Sequence, residues 1–339
     1  MAKKGLILMN LGSPDSTEVK DVKKYLDEFL MDERVIDKPY LLRWLLVKVL
    51  ITPSRSPKSA EAYKEIWWDE GSPLVVITER QKEALSKKID LPIAISMRYG
   101  NPTPRAAYDS LLAQNPDLEE VILFPLYPHY AMSSYETAVE HMKAAKEELG
   151  YKFKLKVVPP FYEHPAYIDA LVESIKPALK EPFDQLLFSY HGIPERHLAK
   201  ADPSGSHPMF VTNCCTEKDE SHHTCYRYQV TKTTELVTKA LGLTQDQYSL
   251  SYQSRLGRDP WLTPSTQTVV PEMPKNGIKK LKVVCPAFVS DCLETLEEIN
   301  MRAKEEFLAL GGERFEYIPC MNEQDAWINA MVKLVDTAV

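Results

Sequence analysis

Short apolar runs that end on Pro or Gly alternate with amphipathic helical stretches along almost the whole chain, and this alternation limits the possible folds most. Residues 4–9, 92–97, 121–125 and 154–158 read as strands. Helices are expected at 16–30, 75–88, 103–114 and 134–149. Repeated strand–helix–strand units build a parallel, doubly wound sheet. The same grammar restarts near residues 159–165. A helix is expected at 164–179, a strand at 184–189 and a helix at 232–241. Strands follow at 248–252 and 281–285, then a long helix, a strand at 315–319 and a helix at 323–335. The expected fold class is α/β, with two similar doubly wound halves at 1–162 and 163–319 and a closing helix in 320–339. With 339 residues, each half has enough chain for its own core.

The net charge of −7 gives no support for nucleic acid as a partner. The apolar run after Lys3-Lys4 is too short for a signal peptide, and no window reaches the roughly 20 apolar residues of a membrane span. A cytoplasmic location is expected, and there six cysteines serve as buried thiols or metal ligands rather than disulfides. The opening strand–turn–helix lacks both the G-x-G-x-x-G and the Walker pattern, so a phosphate cradle is unsupported. Residues 40–51, YLLRWLLVKVLI, form the most apolar window. They fit either a core helix or an apolar lip against a membrane surface, with Arg43, Lys48 and Arg55 around it. Residues 53–57, PSRSP, read as a rigid loop before a helix through Tyr63 to Trp67. Residues 201–226 show neither period and exceed an ordinary connection.

Two stretches carry chemistry. Residues 283–300, VVCPAFVSDCLETLEEIN, read as a buried strand stopped by Pro286. A helix follows from Ser290 or Asp291 to about Leu310, where Gly311-Gly312 ends it. At 100° per residue, Asp291, Glu294 and Glu298 lie within about 60° of one another, away from the apolar face of Leu293, Leu296, Ile299, Ala303 and Phe307. The same residues also fit a plain reading, in which Asp291 and Glu294 form a capping box and Glu298 pairs with Arg302. The second stretch, FSYHGIPERH, ends a buried strand on His191, where Gly192 and Pro194 forbid continuation. Both stretches belong to the sheet edge where open α/β folds bind ligands. Together they supply a near-neutral base, proton acceptors and ligands for a divalent cation.

The opening Leu8-Met9-Asn10-Leu11-Gly12-Ser13-Pro14 and the block Ser189-Tyr190-His191-Gly192-Ile193-Pro194 resemble ferrochelatases. So do Gln253-Ser254-Arg255 with Pro260-Trp261, and Asp291-Cys292-Leu293-Glu294-Thr295-Leu296; the resemblance runs from residue 4 to about 335. It implies two Rossmann-like, chelatase-like halves with an active-site cleft between them. It also implies insertion of Fe²⁺ into protoporphyrin IX to give protohaem, with release of two protons. By local match the catalytic histidine and glutamate are His191 and Glu294. Glu298 and Asp291 continue an acidic track, and all four are candidate metal ligands. Arg55, Tyr63 and Arg98 match porphyrin-side positions, where arginines suit propionates, and Tyr127 and Tyr130 are further wall candidates. A coproporphyrin or other tetrapyrrole chelatase and a non-catalytic tetrapyrrole or metal carrier are the alternatives.

The stretch 201–226 resembles the cysteine-bearing insertions of part of that family, some of which hold a [2Fe–2S] cluster on four cysteines. It carries Cys214, Cys215 and Cys225 with His207, His222 and His223; Cys320 is the distant fourth cysteine, or a histidine serves. An ordered loop without metal is the expectation favoured here. The implied setting is a monomer or homodimer, docked through the lip on the inner membrane.

Overall fold

The computed structural model describes residues 3–208, 213–217, 219–255, 257 and 259–339. By their contacts they form two compact units. Unit 1 comprises Met1–Leu126, Met132–Pro159 and Met331–Val339; unit 2 comprises Tyr127–Ala131 and Pro160–Ala330. The main crossing lies at Pro159. Two exchanges were not foreseen: five residues after the third strand go to unit 2, and the tail of the closing helix returns to unit 1.

Unit 1 contains β1 (Lys4–Ser13), α1 (Val19–Leu30), α2 (Tyr40–Trp44), α3 (Thr52–Ile66), α4 (Pro73–Ser86) and β2 (Ile93–Gly100). It continues with α5 (Pro104–Gln114), β3 (Glu120–Pro125), α6 (Thr137–Glu148) and β4 (Lys154–Val157). The sheet is parallel throughout, in the order β2-β1-β3-β4. Leu6, Ile7, Leu8 and Met9 are fully buried, as a central strand covered on both faces requires. The C-terminal residue exchanges both backbone hydrogen bonds with Val157 and so is tied to β4.

Unit 2 repeats the plan with α7 (Pro165–Ile175), β5 (Gln185–His191), α8 (Glu195–Ala201), α9 (Tyr226–Leu241), β6 (Tyr248–Gln253) and α10 (Thr266–Glu272). After β7 (Lys280–Val284) come α11 (Leu293–Thr295), α12 (Lys304–Ala309), β8 (Arg314–Tyr317) and α13 (Asp325–Val335), the last ending in unit 1. Its sheet order, β6-β5-β7-β8, is that of unit 1 over again. In this order the chain leaves β5 to one side for β6 and returns to the other for β7. The carboxyl ends of β5 and β7 therefore flank the topological switch point, where such sheets bind ligands.

Three helical segments among the described residues are wound wider than α; one, Met132–Glu136, leads into α6. Leu45–Ile51 joins α2 to α3, and Leu296–Ala303 joins α11 to α12, both as wide turns with i→i+5 spacing. Residues 53–57 are not a loop but part of α3. Pro53 sits in its first turn, and the hydroxyls of Thr52, Ser54 and Ser56 donate back to carbonyls at Val47, Leu50, Ile51 and Thr52. The long helix ends where expected. Gly311 adopts φ +96°, and a Cβ on Gly312 would stand 2.1 Å from the fully buried Phe307 ring.

Candidate active site

His191 is the last residue of β5, opposite Gln253 in the sheet register. A Cβ on the next residue would fall 2.9 Å from the Gln253 carbonyl, so only glycine lets the chain turn away here. The half-buried imidazole packs edge-on against Phe288 at 6.4 Å, and the Tyr226 hydroxyl holds the residue's carbonyl at 2.9 Å. Nδ1 lies 2.6 Å from the Gly192 carbonyl. A carbonyl only accepts, so Nδ1 carries the hydrogen and Nε2 is left as the basic nitrogen.

The carboxylates divide by surroundings. Asp291 precedes the helix and is buried. Its oxygens accept from the Tyr317 hydroxyl, Thr295 (3.1 Å), the Cys320 amide (3.3 Å) and the Asn322 side chain (2.7 Å). Four donors on one carboxylate make it an anchor for the loop after β7. The helix cap is Cys292 with Thr295, rather than Asp291 with Glu294. Glu294 and Glu298 are half-buried. Burial pushes the Glu298 carboxyl up to about 7; the charge on Glu294 adds to this, and a hydrogen bond from Ser254 opposes it. Arg302 pairs with Glu297 instead of Glu298, because i→i+5 spacing aligns residues five apart.

Gln253 ends β6 beside the strand that closes on His191, and Ser254 follows it; the local sequence pattern gives neither a role. Gln253 accepts from Ser189 (2.7 Å) and donates to the Glu294 carbonyl (2.9 Å), linking the histidine's strand to the acidic helix. Ser254 reaches Glu298 from a left-handed backbone, φ +66°. His191, the two partly open carboxylates and their supports thus all belong to unit 2. Among the described residues, no group of three or more His, Cys, Asp or Glu side chains is placed to hold a metal ion.

The expected porphyrin-side residues lie in varied settings. Arg55 is exposed on α3 with no ion-pair partner among the described residues. Tyr63 is buried edge-on to Tyr25 and Trp67. Arg98 pairs with Asp32, donates to Thr137 (2.7 Å) and lies 4.3 Å over Tyr99. Burial works to raise the Asp32 carboxyl, yet hydrogen bonds from Thr137 and the Arg34 amide and the Arg98 charge leave it lowered. In unit 2, Tyr127 is buried and the Tyr130 amide donates to Gln229 at 2.7 Å. Between these tyrosines His129 is buried against Tyr190 and Tyr226, and burial lowers its pKa to about 3, which keeps it neutral.

In the 201–226 stretch, Cys214 and Cys215 sulfurs stand 3.9 Å apart, with Arg227 3.6 Å from the first, and Cys225 caps α9. His222 stacks on Tyr228 at 3.6 Å and bonds the Cys214 carbonyl. Cys320 keeps other company, 3.5 Å from the Tyr317 hydroxyl. Among the described residues, then, the four cysteines considered for a cluster do not assemble.

The fold and this site define a chelatase-like α/β protein, duplicated in plan, with a base and carboxylates at the switch point of one sheet. The solved structure described as SirB from Bacillus subtilis with Fe3+ shares the fold at a TM-score of 0.54 and 12% identity, over 98% of this chain and 94% of that one. The family described as Ferrochelatase matches residues 3–339. Ferrochelatases of Stutzerimonas stutzeri and Ectopseudomonas mendocina are each 46% identical over 340 residues, covering 100% of this chain and 99% of theirs. That of Opitutus terrae is 45% identical over 99% of this chain and 98% of its own. The chain belongs to the ferrochelatase family: it is a lyase whose substrates are a porphyrin and ferrous iron.

Proposed function

We propose that the porphyrin is protoporphyrin IX, that the product is protohaem, and that His191 takes up the protons the macrocycle must lose. Metal entry displaces two pyrrole N–H protons, so the reaction needs a base close to neutral and an outlet behind it. The observation that carries this reading is the 2.6 Å contact of His191 Nδ1 with the Gly192 carbonyl; since a carbonyl only accepts, Nε2 is left as the proton acceptor. Glu298, pushed up to about 7, releases and regains a proton near neutrality and serves as the outlet. Glu294 is the carboxylate nearer the helix start and supports incoming iron, whose remaining ligands are porphyrin nitrogens and water. Asp291 acts as a positioning residue, since its oxygens are engaged by four donors.

Arg55 is the propionate partner best supported, being an exposed arginine with no ion-pair partner among the described residues. Arg98 is engaged by Asp32 and contributes by sharing that pair. Leu41, Leu42, Leu45, Val49 and Leu50 are exposed along the 40–51 segment, and no helix among the described residues is long and apolar enough to cross a membrane. We read the exposed face as a membrane-surface lip, on the cytoplasmic side of the inner membrane, that receives a lipid-dissolved porphyrin. That favours protoporphyrin, the more apolar candidate. Anaerobic insertion of Fe²⁺ into protoporphyrin and coproporphyrin, followed by loss of porphyrin fluorescence, decides the substrate. A higher kcat/KM for protoporphyrin is expected, and a preference for coproporphyrin would overturn the assignment.

A further inference from the structure

Next to the exposed apolar face, unit 1 contains a pocket of about 770 Å³. One wall is α1, with Lys20, Lys23 and Lys24; the other is the 40–51 segment, with Tyr40, Trp44 and Lys48. Five cationic side chains border it against three carboxylates. Lys23 and Lys48 share one of these, Asp27, at 2.7 and 3.0 Å, while Lys24 holds Asp15 at 2.8 Å. Lys20 is exposed and has no ion-pair partner among the described residues. A chain of net charge −7 thus keeps a positive hollow at this place.

The hollow and the apolar face share residues. Tyr40 and Trp44 line the pocket and are 62% and 45% exposed, next to Leu41 at 80% and Leu45 at 48%. Amphipathic aromatics and lysines bordering an apolar face match the boundary layer of a bilayer, where rings sit at headgroup level and ammonium groups meet phosphate.

We propose that this pocket binds the phosphate headgroup of an anionic phospholipid, so that the lip docks selectively on negatively charged bilayer. The proposal rests on reading the 40–51 segment as a membrane-surface lip. Charge decides the occupant: apolar side chains alone would dock equally on a neutral bilayer, whereas a local cationic excess on an acidic protein favours an anionic surface.

The test is co-flotation of the full chain with vesicles of phosphatidylcholine alone and with phosphatidylglycerol added, at low and high salt. Wild type should bind the anionic vesicles more tightly and lose that advantage in high salt. K20Q/K24Q, two exposed substitutions, should bind phosphatidylcholine as wild type does but lose about 25-fold of the preference for the anionic vesicles, from roughly fivefold per lysine. L42D/L45D should lose binding to both. Equal wild-type binding to the two vesicles, or a K20Q/K24Q variant that keeps its preference, would overturn the headgroup site and leave the lip reading standing. Wild type that floats with neither would overturn both. A raised KM for porphyrin in detergent without lipid, caused by K20Q/K24Q, would also overturn the site by giving the lysines to the porphyrin carboxylates.

Discussion

At the scale of single residues, carboxylates close together in sequence are set apart by what surrounds them. Asp291 is saturated with donors, whereas Glu298 is held up to about 7 by burial and by Glu294. The sign of the resulting pH dependence follows from linkage. A raised folded-state pKa means the native state keeps a proton that the unfolded chain has released above its ordinary value of 4.5. Wild-type stability should therefore fall as pH rises from about 4.5 to about 7, then level off. Glu298→Gln removes that penalty. Its melting profile should match wild type near pH 4.5 and show about 1–3 kcal/mol more stability near pH 8. Glu294→Gln should instead leave the melting temperature alone and lower turnover about a hundredfold, measured as initial rates of Fe²⁺ insertion. A destabilised but fully active Glu294→Gln would return that residue to a structural role. His191, Glu294 and Glu298 were legible because strand ends and carboxylate spacing are local properties. Asp291's partners Tyr317 and Asn322 lie 26 and 31 residues away in sequence, and no local pattern announces them.

At the scale of elements, the wide-turned segments Leu45–Ile51 and Leu296–Ala303 are where periodicity misleads. Apolar spacing at 3.6 residues located the helix after β7, yet Leu296–Ala303 winds with i→i+5 bonds and brings Glu297, not Glu298, to Arg302. The 40–51 window admitted two readings from sequence, because hydropathy does not say which apolar side chains find partners. In the structure Val47 is fully buried and Arg43 clamps the Ile36 and Lys38 carbonyls, so Arg43 is no surface cation, while most of the leucines are exposed. L42D/L45D should accordingly melt within a degree or two of wild type yet lose liposome association. Val47→Asp should destabilise by about 3 kcal/mol or more, since it buries a charge. A large loss of stability in L42D/L45D would mean that the leucines are core.

At the scale of the whole molecule, the duplicated 2-1-3-4 strand order accounts for where His191 and the loop to the acidic helix come together. Alternating strand and helix signals foretold two α/β halves, since each signal is short-range and repeated. The strand order, the return of Met331–Val339 to unit 1 and the separation of Cys320 from Cys214, Cys215 and Cys225 depend on tertiary packing. With no fourth thiol beside those three among the described residues, protein purified anaerobically should be colourless before porphyrin is added. Cys215→Ser should then keep its activity; visible absorption with about two irons per chain, lost together with activity in that variant, would show a cluster. The central claim, that His191 Nε2 removes the pyrrole protons, is tested most directly by His191→Ala under anaerobic single-turnover conditions with protoporphyrin and excess Fe²⁺. Porphyrin binding within about tenfold of wild type and no detectable metal insertion are expected. Turnover close to that of wild type would contradict it.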